Sequence, residues 1–132
     1  MLDRARLETV TYAALRIVAG CMFLFHGSQK LLGLPGGKPP PEAFSQMWIG
    51  GLIELVCGSL IALGLLTRAA AFLAAGTMAV AYIQFHWKGS LGADFLPIVN
   101  RGELAALYCF VFLVYCVRGA GPISIDRQLG RA

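Results

Sequence analysis

The chain has 132 residues, of which 58% are hydrophobic and only 14% charged, with a mean hydropathy of +0.70. Soluble domains carry roughly 25% charged residues, so this composition belongs in lipid. Four spans of about 20 residues with short loops use most of the length and leave no room for a soluble catalytic domain within it.

Net charge is +4 and the pI is near 9.1, yet the eleven Lys and Arg are scattered singly. That excludes the grouped basic face of a nucleic-acid binder and makes these residues topology signals.

The first span is predicted from about Tyr12 to Leu32. Val18-Ala19-Gly20-Cys21 resembles a lipoprotein cleavage box, but the apolar run before it is short and contains Arg16, so the segment reads as an uncleaved span. Arg16, Gly20, Phe23, Gly27 and Lys30 recur at alternating steps of four and three. They share one helical stripe, and its small and polar residues should face other helices. Leu34-Pro35-Gly36-Gly37-Lys38-Pro39-Pro40-Pro41 then ends the helix.

The second span, about Phe44 to Leu66, carries one carboxylate, Glu54, on a stripe with Gly51, Gly58, Ile61 and Leu65. A charge at that depth costs several kcal/mol unless it finds a partner, a water-lined cavity or a proton. The turn Gly64 to Arg68 is short enough to lay the third span antiparallel beside the second.

The third span, about Ala69 to Trp87, is alanine-rich, with Ala71 and Ala75 spaced for close backbone approach. The fourth, about Ile98 to Val117, begins with Arg101 and Glu103 in its first turns; Glu103 there also suits the helix dipole. After Arg118 comes a turn-rich tail.

An even number of spans puts both termini on one side. Arg4, Arg6, Arg68, Arg118, Arg127 and Arg131 lie on that side against Lys38, Lys88 and Arg101 on the other, which makes the termini cytoplasmic. The expectation is therefore an all-α, integral-membrane four-helix bundle of antiparallel up-down topology, forming one domain over residues 1–132. Cys21, Cys57, Cys109 and Cys116 fall in apolar runs without CxxC or Cys/His spacing, so neither a disulfide framework nor a metal site is expected.

At about 1.5 Å per residue, heights above the cytoplasmic helix ends follow: Arg16 ~9 Å, Glu54 ~18 Å, Glu103 ~22 Å, Gln84 and His26 ~24 Å, His86 ~27 Å, Lys30 ~30 Å. All but Arg16 lie in the outer half. His26, Lys30, Glu54, His86 and Glu103 thus converge from four helices as a candidate binding constellation able to exchange protons.

Plain structural readings stand beside this one. Lys30 and His86 are close enough to the interface to snorkel, and His26 and Gln84 can serve as interhelical hydrogen bonds. Glu54 can form a structural ion pair with Arg16 or Lys30, and Arg16 can snorkel to cytoplasmic headgroups. No GxGxxG, GxSxG, HExxH or Walker sequence is present, which removes the common soluble-enzyme classes.

Several segments in order resemble one family. They are Phe25-His26-Gly27 with Lys30, Glu54 with Gly58 leading into Gly64-Leu65-Leu66-Thr67-Arg68, His86, Gly102-Glu103, and the tail Gly119-x-Gly121-Pro122-x-Ser124-x-Asp126. This pattern resembles the DoxX family of small bacterial membrane proteins.

The resemblance implies a four-helix bundle in the bacterial inner membrane, and a subunit linked to quinol oxidation, thiosulfate:quinone oxidoreduction or thiol-stress oxidoreductase complexes. The expected function is a redox membrane subunit whose outer-half pocket binds a quinone or a lipid-like ligand, with other membrane subunits as partners. A non-catalytic accessory subunit is the alternative, and a carrier for protons or a small anion a third.

Overall fold

The computed structural model describes residues 3–131, and among these every regular element is helical. Helix α1 (Arg4–Leu32) starts two turns before the predicted span. Its first turns are polar, tied by an Arg4–Glu8 pair at 3.0 Å, so the helix extends beyond its apolar length. At about 1.5 Å per residue α1 is roughly 43 Å long, more than the ~30 Å of a hydrocarbon core. Gly33 ends it in the left-handed region at φ 65°.

Helix α2 (Gln46–Leu63) is opened by Ser45, whose side chain accepts from the Trp48 amide at 3.2 Å, and closed by left-handed Gly64. Helix α3 (Thr67–Ala81) runs on as a π-helix over Tyr82–Trp87 and stops at left-handed Lys88. A short 3₁₀ turn (Ala93–Phe95) and α4 (Pro97–Asn100) precede α5 (Glu103–Arg118), and α6 (Ile125–Gln128) closes the fold.

Among the described residues three stretches are long and apolar enough to cross a membrane: α1, α2, and α3 with its π-helical extension. The fourth predicted span is broken. Arg101 turns left-handed at φ 60°, and the Asn100 side-chain oxygen takes the Gly102 amide at 2.8 Å, so α4 stands apart and α5 starts at Glu103 with 16 residues.

Helix α1 packs along α2 and α3 along α5, with α2 against α3 joining the two pairs. Glycines set the first contact. A Cβ on Gly27 would sit 2.3 Å from the Leu55 amide nitrogen, and one on Gly58 2.4 Å from that of Leu24, so backbone lies against backbone. Alanines Ala71 and Ala74 on α3 are fully buried, and an aromatic cluster fills the centre. There the Phe23 ring lies 4.8 Å from Phe112, which stacks on Tyr108 at 5.3 Å. Large apolar side chains such as Phe110 and Val117 point outward, which suits hydrocarbon and would be costly in water.

The tail is a clasp. Asp126 accepts from the Leu66 and Thr67 amides at 2.8 and 2.9 Å, capping α3, while its own amide donates to the Gly64 carbonyl at 2.8 Å. Arg16 does not reach the headgroups: it is buried, and its Nη1 donates to the Ala120 carbonyl. The Tyr12 hydroxyl donates to the Gly119 carbonyl at 2.7 Å, beneath the Arg118 guanidinium at 4.9 Å.

Burial pushes the Asp126 carboxyl up, but the Thr67 and Leu66 amides and the Arg131 charge outweigh it and hold the group below its ordinary value. A lowered folded value means the stabilisation is complete above the unfolded value and is lost as pH falls through the folded one. Asp126→Ala is expected to cost about 1–2 kcal/mol, the usual worth of an N-cap. Thermal midpoints of the two proteins should differ at pH 7 and converge as pH falls through the lowered folded value of the Asp126 carboxyl.

Candidate functional site

Position in the fold follows from the packing. Because α1 lies so close to α2, the Lys30 ammonium reaches across to Glu54 and pairs with Oε1 at 2.6 Å. Glu54 is only 3% exposed, whereas the Lys30 side chain is 32% exposed. Of the two partners open to Glu54 in the sequence, Lys30 is the one it has. Arg16 belongs to the clasp and has no acidic partner within ion-pair distance among the described residues.

Beside this pair lies a cavity of about 670 Å³, within the size range of ligand pockets. His26, Lys30, Glu54 and His86 all line it, so four of the five predicted residues meet on one space. Glu103 does not line it; it sits exposed in the first turn of α5. Gln84 is also outside, held by the Gln46 side chain.

Among the lining residues that sequence reasoning did not single out are Tyr108, Gln46 and Met78. Tyr108 carried a readable signal. It shares the buried stripe of Ala105, Phe112 and Tyr115, and a hydroxyl amid an apolar run needs a partner.

Hydrogen bonding at the site is incomplete. Glu54 Oε2 and the Tyr108 hydroxyl are both buried, and among the described residues neither has a hydrogen-bond partner. Tyr108 is 5% exposed and meets the His26 ring edge-on at 6.3 Å. Buried polar groups are paired in the great majority of cases, and an orphan costs about 1–3 kcal/mol. Both residues line the same cavity.

His86 is fixed differently. Its Nδ1 lies 3.2 Å from the Asn100 carbonyl, which can only accept, so Nδ1 is the donor there and Nε2 is left without that contact. Asn100 is itself tied to the Tyr82 hydroxyl at 3.1 Å and the Asp94 carbonyl at 2.9 Å, which anchors the loop against the π-helical end of α3. Away from this end the cavity wall is apolar, built from residues such as Ile53, Phe72, Leu73 and Met78. Among the described residues no cluster of His, Cys, Asp and Glu could hold a metal ion.

The DoxX family model matches residues 11–87, the stretch that carries His26, Lys30, Glu54 and His86. The chain belongs to the DoxX family. It is 41% identical to an uncharacterized protein of Haemophilus influenzae over 88% of each chain. An uncharacterized membrane protein of Mycobacterium tuberculosis is 32% identical over 89% of this chain and 80% of its own. The inner membrane protein YqjF of Escherichia coli is 29% identical over 96% and 97%. No solved structure matches the chain. This DoxX protein is therefore a multi-pass membrane protein, and the cavity described above lies mainly within the matched region.

Proposed function

We propose that this DoxX protein is a quinone-binding subunit of a membrane oxidoreductase in the bacterial inner membrane. Its four spans form an antiparallel bundle with both termini cytoplasmic, α5 serving as the fourth. Supporting this, α5 packs along α3, turns apolar side chains outward, and is flanked by Arg101 and Arg118. The excess of Lys and Arg on the terminal side and the inner-membrane relative agree with that placement.

One observation carries the ligand: a cavity with mostly apolar walls is lined by Glu54 and Tyr108, whose buried Oε2 and hydroxyl have no hydrogen-bond partner among the described residues. A quinone ring with an apolar tail matches such a space, and when bound it supplies two-electron, two-proton redox chemistry. Tyr108 is the donor for a ring carbonyl. Glu54 Oε2 is the acceptor for a ring hydroxyl, held in place by Lys30 on its other oxygen. His86, with Nδ1–H committed to Asn100, offers Nε2 as a second proton acceptor on the same cavity. Electrons pass to or from another subunit of the complex.

Titration of the purified protein with a short-tailed benzoquinone, followed by tryptophan fluorescence, tests this. Tyr108→Phe and Glu54→Gln should each weaken binding about tenfold, or about 1.4 kcal/mol. Unchanged affinity in both variants would overturn the reading.

A further inference from the structure

The glycines of α2 and α3 fall into two groups. Gly51 and Gly58 are pressed against α1, where an added Cβ would meet Lys30 or Leu31 side-chain atoms, or the Leu24 backbone. Gly50 and Gly76 are the opposite: both are helical, neither has a positive φ, and a Cβ at either would meet nothing within 4 Å. A helix interior glycine weakens the helix. Neither close approach nor backbone conformation accounts for these two. Both line the cavity that holds the unpartnered Glu54 and Tyr108 oxygens.

Along α3 the lining residues form two adjacent rows at steps of four. One is Phe72, Gly76 and Val80; the other is Leu73, Thr77, Ala81 and Phe85. Gly76 is therefore a notch in the middle of a trough, with about one turn of wall on either side. His86 lies about three turns further on, at the polar end. Phe72 and Leu73, at the other end, are 65% and 53% exposed on the outer face of the helix, so the trough opens sideways towards lipid. On α2, Gly50 lies one turn from Glu54, beside the polar end.

We propose that Gly76 marks the tail channel of this site: a single-tailed, bilayer-soluble amphiphile with an uncharged hydrogen-bonding head enters laterally between α2 and α3. Its tail leaves over Gly76 towards Phe72, and Gly50 gives the head its room. Lys30 is paired with Glu54 and Arg101 also lines the cavity, but the unpartnered Glu54 carboxylate oxygen beside the head disfavours a phosphate there. This rests on the ligand reading above and adds the route, the tail number and the residues that select it.

The test compares two probes on the full-length protein in detergent: a dimethoxy-methyl-benzoquinone without a tail, and the same ring with a ten-carbon tail. Gly76→Leu should weaken the tailed probe at least tenfold and leave the tail-less probe within twofold of the parent protein. Gly50→Leu should weaken both. Leu73→Trp, which narrows the trough from its neighbouring row, should reproduce the Gly76→Leu pattern and guards against a folding defect in either variant.

Equal weakening of both probes by Gly76→Leu and Leu73→Trp, or no effect on the tailed one, overturns the channel while the quinone reading stands. If the parent protein binds neither probe, both readings fall together.

Discussion

Lys30→Met is expected to lower stability by about 3 kcal/mol, read as a large drop in the thermal midpoint in detergent, and the double variant Lys30→Met/Glu54→Gln to recover more than half of it. Removing one partner of a buried pair strands the other charge, at a cost of about 3–5 kcal/mol. The lower end applies here because the Lys30 side chain is 32% exposed while Glu54 is 3% exposed. Replacing the carboxylate by an amide removes the stranded charge, so the two changes are not additive. If the double variant were as unstable as the two single losses summed, the 2.6 Å pair would not be what makes Glu54 tolerable. Quinone binding should fail in Lys30→Met as well, since Glu54 loses the contact that aims its free oxygen.

Gly27→Ala is the second large effect, about 3 kcal/mol or more, at the upper end of overpacking costs. The new methyl would lie 2.3 Å from the Leu55 nitrogen and 2.6 Å from the Gly51 carbonyl oxygen. Both are backbone atoms of α2 and cannot swing aside as a flexible side chain would, so α1 must lift away. Gly27 sits between His26 and Lys30, so the same displacement pulls two cavity residues from the wall. Gly50→Ala provides the contrast. Its methyl meets nothing, and helix propensity predicts a gain of up to about 1 kcal/mol. A Gly27→Ala protein that melted with its parent would contradict the backbone contact between α1 and α2.

The apolar runs, their breakers and the stripes of Gly and polar residues were legible because they are local: a bilayer-length helix and its inward face follow from periodicity. Residues at matching depth on different helices were legible too, since rise per residue is fixed, and His26, Lys30, Glu54 and His86 do line one cavity. Glu103 was grouped with them by depth alone but does not line the cavity, because depth carries no information about rotation around α5. The break at Arg101 depends on the Asn100 side chain capturing the Gly102 amide, a capture that the apolar pattern does not encode.

The amino-acid sequence by itself determined an all-helical membrane chain with a carboxylate too deep to stand alone. Hydrophobic transfer and backbone hydrogen bonding act on each segment separately, so no neighbour is needed to specify them. Tertiary structure decided that Lys30 rather than Arg16 answers Glu54, that the tail clasps Arg16 and caps α3 with Asp126, and that Tyr108 joins the cavity wall. Those outcomes depend on how helices rotate and close upon one another. That is set by which glycines allow backbones to touch, as Gly27 and Gly58 do, and only the assembled helices express it.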